Sequence, residues 1–327
     1  MTAVTAPETG ATSTSLNLRD GRRFGDNAFR IIVLACGLSV LAILILIAWS
    51  TTKEAWPIFS DRAAEFFTTS RWAPSADKFG ALSFIYGTLL TSALAVLFAV
   101  PLSVGIALFV TEVAPRWLRK AIVSVLDLLA VVPSVVFGLW GILVLAEPIN
   151  DFYTKVSDAL SGIPVIGALF EGPTSGRAFF TAGLILGIMI VPIITSLTRE
   201  VFETTPTLEK EAALALGATR WEMIRAAVFS HSKGGMVGAI TLGLGRAMGE
   251  TIAAALVIGS NPQISAKLFG PGYSMPSVIA NEFGESSGLW RAALVGLGVT
   301  LFVITILINL AARGLVNRSI RKSRGLA

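Results

Sequence analysis

Six long stretches of this chain carry almost no charge, and they constrain its fold more than any other feature. About 20 apolar residues suffice to cross the hydrocarbon core of a bilayer as a helix. Four of the stretches are uncharged, one contains Asp127, and one contains Arg246 and Glu250. The chain is therefore predicted to be an all-α integral membrane protein. The predicted spans lie at about 31–49, 83–111, 121–146, 178–198, 235–259 and 292–312.

The distribution of basic residues predicts which side of the membrane each loop faces. Cytoplasmic loops of membrane proteins are enriched in Lys and Arg. The tails and loops on the side of the two termini hold 17 basic residues, whereas the opposite loops hold eight. Both termini are therefore predicted to face the cytoplasm. Residues 1–28 are expected to form a disordered cytoplasmic tail, 29–316 the transmembrane domain, and 317–327 a basic cytoplasmic tail.

The first apolar stretch has a second interpretation, as a cleaved signal peptide. Signal peptides contain an apolar region of about 7–15 residues, followed by a cleavage site of small residues. The stretch 31–49 is longer, and no A-x-A pattern follows Trp49. We therefore expect a retained membrane span.

Composition and motifs exclude several classes of function. The chain has one Cys and one His among 327 residues, which argues against a disulfide framework and against a Cys- or His-based metal centre. The phosphate-cradling pattern G-x-x-x-x-G-K-[ST] is missing, because no lysine follows a glycine. The chain is therefore not expected to be an enzyme, to bind ATP in this way, or to hold a cofactor or metal.

The segment 199–233, between the fourth and fifth predicted spans, carries the most specific pattern. Pro206 is suited to the start of a helix, and Gly217 to a left-handed helix end. Thr219 with Glu222 three residues later has the spacing of a capping box, which predicts a second short helix. The segment is thus predicted to form two short helices hinged at Gly217 on the cytoplasmic face. An ordinary interfacial amphipathic helix is the alternative.

Several of these residues resemble a known family. Glu211, Ala212, Ala213 and Gly217 match the E-A-A-x-x-x-G core of the coupling loop in ABC-importer permeases. Three further stretches are similar to spans of phosphate-importer permeases, and the resemblance covers roughly residues 80–260. These stretches are GTLLTSALAVLFAVPLSVGIALFVTEVAP, LLAVVPSVVFGLWG and LGLGRAMGETIA. The chain most resembles the PstC-type permeases of phosphate-specific ABC importers.

The resemblance implies an architecture and a set of partners. It implies a six-span type I permease bundle that forms half of a heterodimeric pathway in the bacterial cytoplasmic membrane. The implied partners are a PstA-type permease subunit, two copies of an ATPase subunit, an extracytoplasmic phosphate-binding protein and membrane lipid, with no nucleic acid. Phosphate is the implied cargo. ATP and Mg²⁺ are expected on the ATPase, whose motion the coupling loop would transmit.

Arg246 and Glu250 lie at membrane depth in the predicted fifth span. Charge there is costly, so such residues usually face a cavity or a partner. Their spacing of four predicts that both project from one face of a helix. Two roles stay open, namely an ion pair that fastens the span and a site on the path of an anion. A guanidinium matches two phosphate oxygens, and Glu250 could accept a hydrogen bond from the P–OH that sulfate lacks.

Asp127 and three prolines complete the predicted pathway features. Asp127 in the third span is assigned either to the pathway vestibule or to a structural hydrogen bond. Pro101, Pro133 and Pro192 each remove a backbone hydrogen bond inside a span and are predicted to kink it. Such kinks arise from packing alone, or they belong to mobile helices around a water-filled path.

Two other functions are compatible with the sequence. The first is a permease for another oxyanion, such as sulfate or molybdate, which competition with labelled phosphate uptake would distinguish. The second is a secondary transporter or channel driven by an ion gradient, which a co-purifying ATPase would exclude.

Overall fold

The computed structural model describes residues 23–160, 162–163, 166–170 and 176–323. Most of the predicted tail 1–28 and the last four residues of the predicted tail 317–327 lie outside these residues. Within them, the first helix already begins at Arg23 and the last continues to Ser323. Parts of both predicted tails are therefore helical.

The described residues are almost entirely helical, with one small hairpin. Strands β1 (Trp72–Ala73) and β2 (Lys78–Phe79) pair in antiparallel fashion, with Trp72 opposite Phe79. Single π-helical turns interrupt or end helices at Phe109–Val113, Gly141–Leu145 and Ile224–Val228, and a short 3₁₀ turn covers Pro74–Ala76. Over the described ranges the α-helices are α1 (Arg23–Asp61), α2 (Ala63–Thr68), α3 (Leu82–Leu108), α4 (Arg116–Val131), α5 (Ser134–Trp140), α6 (Ala146–Leu160), α7 (Ile166–Phe170), α8 (Phe179–Glu203), α9 (Thr207–Ala215), α10 (Arg220–Met223), α11 (Phe229–Met248), α12 (Ile252–Val257), α13 (Met275–Glu282) and α14 (Gly288–Ser323).

In the part of the chain that the structure describes, five helical segments are long and apolar enough to cross a membrane. Four of them contain the predicted spans 31–49, 83–111, 178–198 and 292–312 almost entirely. The fifth overlaps the predicted span 121–146 only in part. The five segments are Gly25–Asp61, Leu82–Val113, Ser134–Leu160, Phe179–Glu203 and Gly288–Gly314.

The predicted span 121–146 is divided because the chain breaks before Pro133. Helix α4 ends at Val131, and Val132 has an extended conformation with ψ of 125°. Proline disfavours the helical conformation in the residue that precedes it, which explains the break. The membrane-length segment therefore starts at Ser134, and it continues through α5, a π turn and α6 to Leu160.

The predicted span 235–259 is also divided, so it does not form one continuous helix. Helix α11 ends at Met248, and α12 begins only at Ile252. Gly249 caps α11 with φ of −89° and ψ of 0°. Glycine is about 1 kcal/mol less favourable than alanine inside a helix, which makes this position a weak point in the span.

Residues 23–50 belong to a first unit, which is separate from the rest of the described chain. Between Arg23 and Ser50 this unit is a single stretch of α1 with apolar side chains exposed on every side, including Ile31, Leu41 and Ile47. A helix that is apolar all round is suited to hydrocarbon surroundings rather than to water.

The second unit begins at Thr51 and has helices α3 and α8 at its centre. Two thirds of the apolar window of α8 is buried, the largest share among the five segments. Phe84 and Ala95 of α3 and Ile190 and Ile194 of α8 lie in the main apolar core, and α11 packs against both helices. The core therefore supports α11 along its length.

The end of this unit that holds the hairpin is tied together by polar contacts. Glu282 accepts hydrogen bonds through Oε2 from the indole N–H of Trp72 at 2.8 Å and from that of Trp290 at 3.1 Å. The amide N–H of Met275 donates to Thr88 Oγ1 at 2.9 Å. These bonds join the hairpin, α3, α13 and α14.

Candidate functional site

A cavity of about 910 Å³ is lined by residues of α8, α11 and α14. Gly234, near the start of α11, and Arg246, near its end, both line it. Their separation of 12 positions corresponds to about 18 Å of helix at 1.5 Å per residue. The cavity thus runs along most of the length of α11. The remaining lining residues are Ile193, Val237, Gly238, Thr241, Leu242, Gly245, Thr305, Asn309 and Arg313.

Two guanidinium groups, those of Arg246 and Arg313, dominate the charge of this cavity. Neither forms an ion pair or hydrogen bond with a described residue, and the same holds for the Asn309 amide. Among the described residues that line the cavity, none is acidic. Thr241 and Thr305 donate their hydroxyl hydrogens to carbonyls of their own helices. The cavity therefore presents unpaired cationic donors, which suits an oxyanion.

The glycines of α11 lie on two faces with different roles. A methyl group at Gly235 or Gly243 would lie 2.5 or 2.6 Å from a side chain of α8, so this face packs tightly. At Gly238 and Gly245 a methyl group would meet nothing within 4 Å. The first face anchors α11 to the core, and the second keeps the cavity open.

Glu250 does not share a helical face with Arg246, which corrects the prediction from their spacing. Helix α11 ends between them, at Met248. Glu250 instead accepts a hydrogen bond through Oε1 from the backbone N–H of Ala253 at 3.3 Å, at the start of α12. No ion pair joins Arg246 to Glu250, although both residues are described. The structure therefore does not support the interpretation of these two residues as an ion pair that fastens the span.

Asp127 is not brought together with Arg246 either. It lies near the end of α4, is exposed, and is not among the residues that line the cavity. It forms no ion pair or hydrogen bond with a described residue. Of the three residues predicted for the pathway, only Arg246 lines this cavity.

The three predicted kinks differ in their surroundings. Pro101 lies inside α3 and Pro192 inside α8, and both helices continue through them. The two proline turns are linked, because the Ser103 hydroxyl donates to the carbonyl of Val191 at 3.2 Å. Pro133 lies outside any helix, between α4 and α5. It therefore marks a complete break rather than a kink.

The predicted coupling segment forms its first helix as α9, between Pro206 and a turn at Gly217. Gly217 has φ of +85°, the left-handed conformation expected at this position. Glu211 and Ala212 are exposed, whereas Ala213 is half-buried against a second apolar cluster at the ends of α3 and α8. The E-A-A pattern thus combines an exposed face with a packed one.

The second short helix, α10, begins with the predicted capping box. The Thr219 N–H donates to Glu222 Oε2 at 2.8 Å, and the Glu222 N–H donates to Thr219 Oγ1 at 3.3 Å. Two hydrogen bonds lower the pKa of the Glu222 carboxyl. The larger effect comes from the Thr219 backbone N–H and the smaller from the Thr219 hydroxyl. Helix α10 then continues through the π turn Ile224–Val228 into α11. Helix α10 of the coupling segment and the cavity-lining helix α11 therefore form one continuous helical segment.

An ion pair fastens α9 to the transmembrane core. Lys210 Nζ lies 2.6 Å from Glu112 Oε1, in the π turn that ends α3. The two side chains are only 21% and 10% exposed, so the pair is largely shielded from water. A charge pair in this setting is screened little by salt.

The coupling segment also exposes large apolar side chains. Leu208, Leu216 and Trp221 lie on α9, in the turn and on α10, and Leu216 is 90% exposed. Exposed apolar groups clustered beside polar ones are typical of a protein interaction surface. We call the exposed residues of 207–222 the coupling surface.

Comparison with known proteins places this architecture in a family. Residues 99–324 match the family described as "Binding-protein-dependent transport system inner membrane component". The "Phosphate transport system permease protein PstC" of Xylella fastidiosa (strain Temecula1) is 41% identical over 323 residues, covering 98% of this chain and 99% of the relative. The protein of the same name from Mesorhizobium japonicum is 43% identical over 301 residues, covering 91% and 92%. The chain belongs to the PstC permease family.

Solved structures support the fold of this permease. The bacterial alginate ABC transporter, crystallised with its alginate-bound periplasmic protein, contains a chain that matches with a TM-score of 0.59 and 17% identity, covering 91% of this chain and 98% of that one. A chain of the inward-facing MetNI methionine ABC transporter matches with a TM-score of 0.53 and 15% identity, covering 76% and 99%. The permease is therefore a multi-pass inner-membrane transport component with an ABC-importer fold, and not an enzyme.

Sequence reasoning missed two elements of this permease's site. Arg313 and Asn309 join Arg246 at the cavity, although Arg313 follows the predicted sixth span and was counted with the cytoplasmic basic residues. The spacing of four between Asn309 and Arg313 was the available signal, because it places both on one face of α14. The pair Lys210–Glu112 had no signal, since the two residues are 98 positions apart.

Proposed function

We propose that this permease is the transmembrane subunit of an ATP-driven phosphate importer and forms half of its translocation pathway. The observation that carries the proposal is the cavity in which Arg246 and Arg313 have no carboxylate partner among the described residues. The cargo is inferred from family membership, because the related proteins are named as phosphate transport permeases.

The proposed anion ligands are the two arginines and Asn309. A guanidinium keeps its charge at all physiological pH values and offers paired donors that match two phosphate oxygens. Glu250 is proposed to act further along the path, at the break between α11 and α12. There it would accept a hydrogen bond from the P–OH group that sulfate lacks. Asp127 is assigned to the vestibule, apart from this cavity.

The permease requires partners for this function. ATPase subunits supply the energy and an extracytoplasmic binding protein delivers the cargo, as in other ABC importers. The proposed assembly contains a second, PstA-type permease and two copies of the ATPase, which would hold ATP and Mg²⁺. The coupling surface is the proposed docking site for the ATPase, because it combines exposed leucines and Trp221 with the exposed Glu211.

The proposed orientation places both termini and the coupling surface in the cytoplasm. The excess of basic residues on that side of the spans supports it. In this orientation the cavity begins on the cytoplasmic side, because Gly234 lies close to the coupling segment.

Uptake of labelled phosphate by the reconstituted complex tests the proposal. We expect uptake to require ATP on the ATPase side and the phosphate-binding protein on the other side. Excess sulfate or molybdate should compete poorly with phosphate. Uptake that persists without ATP under an ion gradient would identify a secondary transporter or channel instead, and full competition by sulfate would identify a permease for another oxyanion.

A further inference from the structure

A second basic cavity lies at the junction of α4 and α8, apart from the Arg246 cavity. Its volume is about 490 Å³. None of its lining residues also lines the cavity described above. Helix α8 leads directly into the coupling segment, so this cavity lies on the same side as α9 and α10. The lining residues are Arg116, Arg119, Lys120, Val123, Ser124 and Arg199.

The charges around this cavity are unbalanced. Glu203 forms ion pairs with both Arg119 and Arg199, the latter at 3.6 Å. Arg116 and Lys120 are exposed and form no ion pair or hydrogen bond with a described residue. Four cations therefore share one carboxylate, and two of the four are available to an external anion.

Helix α4 carries a second feature beside this charge. Trp117 is 72% exposed, and Val125, Leu128 and Val131 continue an exposed apolar stripe along the helix. Trp is enriched at the level of the lipid headgroups, where its ring lies in apolar surroundings and its N–H reaches water. A basic helix start followed by an exposed apolar stripe is typical of a helix that contacts headgroups and acyl chains together.

We propose that this cavity binds the headgroup of an anionic phospholipid, with phosphatidylglycerol as the simplest example. Arg116 and Lys120 contact the phosphodiester, while the acyl chains lie along the stripe that begins at Trp117. Basic pockets between membrane helices commonly bind such headgroups. The bound lipid would hold α4 against the end of α8, where Glu203 leads into the coupling segment.

Lipid binding to the purified full importer complex tests this proposal. The probes are dioleoyl phosphatidylglycerol, which is anionic, and dioleoyl phosphatidylcholine, which has no net charge. Native mass spectrometry counts the bound lipid. Each basic residue near an anionic surface strengthens binding about five-fold, so Arg116→Gln with Lys120→Gln should weaken phosphatidylglycerol binding roughly 25-fold. Phosphatidylcholine binding should not change.

Two control variants separate this site from general charge effects. Lys78→Gln with Lys155→Gln removes the same charge from exposed lysines outside the cavity and should leave phosphatidylglycerol binding unchanged. Arg116→Lys with Lys120→Arg preserves the charge and should retain binding. Undiminished phosphatidylglycerol binding by the Gln variant would overturn the proposal. Binding of labelled inorganic phosphate to the lipid-free complex, lost in the Gln variant, would also overturn it by assigning the cavity to a free anion.

Discussion

Gly217 determines how the chain turns from α9 into α10, because its φ of +85° is one that residues with a Cβ rarely adopt. We expect Gly217→Val to strain this turn by about 1–2 kcal/mol and to lower phosphate uptake per ATP hydrolysed, with membrane insertion unchanged. A methyl group at this position would meet no atom within 4 Å, so the effect would come from the backbone alone.

Gly217→Asn is the matched control, because Asn tolerates the left-handed conformation. It should retain most of the coupling between ATP hydrolysis and uptake, measured on the same reconstituted complex. Equal activity of the Val and Asn variants would show that the conformation at Gly217 is unimportant for coupling.

The pair Arg246 and Glu250 shows a limit of spacing arguments. Two charges four residues apart face the same way only if the helix continues between them. Here α11 ends at Met248, and Glu250 turns to the N–H of Ala253. The sequence does show Gly249 between the two charged residues, and glycine is unfavourable inside a helix. One glycine weakens a helix but does not by itself determine that the helix ends there.

At the scale of elements, α11 is a helix with a packed face and an open face. Gly243→Val should clash with Ile194 of α8 and cost about 1–3 kcal/mol through overpacking, which a thermal unfolding assay of the purified complex measures. Gly238→Val changes helix propensity equally but enters open space, so the complex should keep its stability. It should still lower uptake, since the side chain fills the cavity. Similar stability losses for both variants would contradict the two-face description.

The Lys210–Glu112 ion pair attaches α9 to the end of α3, in addition to the packing of Ala213. Lys210→Met leaves the Glu112 carboxylate unpaired at a position where it is only 10% exposed, and we expect a loss of about 2–3 kcal/mol. Uptake per ATP hydrolysed should fall as well, because α9 is then attached to the core only by its apolar contacts.

Lys233→Met removes an exposed lysine from α11 and serves as the control for lost charge. The double variant Lys210→Met with Glu112→Met should recover part of the stability, since no unpaired charge remains. If Lys210→Met unfolds at the same temperature as Lys233→Met, the ion pair contributes nothing to the attachment.

Hydropathy predicted most of the elements but not their continuity. It located α1, α3, α8 and α14, because a span needs a long apolar stretch and the chain provides it. It could not report the breaks before Pro133 and after Met248, since an average over a window ignores whether the backbone is helical throughout. The sixth apolar stretch ends at residue 312, so Arg313 counts with the cytoplasmic basic residues, although α14 continues past it and brings it to the cavity.

At the scale of the whole second unit, the coupling surface and the cavity are mechanically connected. Helix α10 continues through a π turn into α11, whose open face lines the cavity. The Lys210–Glu112 pair links α9 to α3, and the Ser103–Val191 hydrogen bond links the proline turns of α3 and α8. A displacement of the coupling segment would therefore be transmitted to the residues around Arg246 through the uninterrupted helical path from α10 into α11.

Phosphate uptake by a complex that lacks both cavity arginines tests the central claim most directly. Arg246→Gln with Arg313→Gln breaks no ion pair among the described residues, so the complex should assemble and hydrolyse ATP as before. Each lost charged contact should lower uptake about ten-fold. Arg71→Gln, outside the cavity, is the control and should leave uptake unchanged. Near-normal phosphate uptake by the double variant would contradict the assignment of this cavity to the translocation pathway.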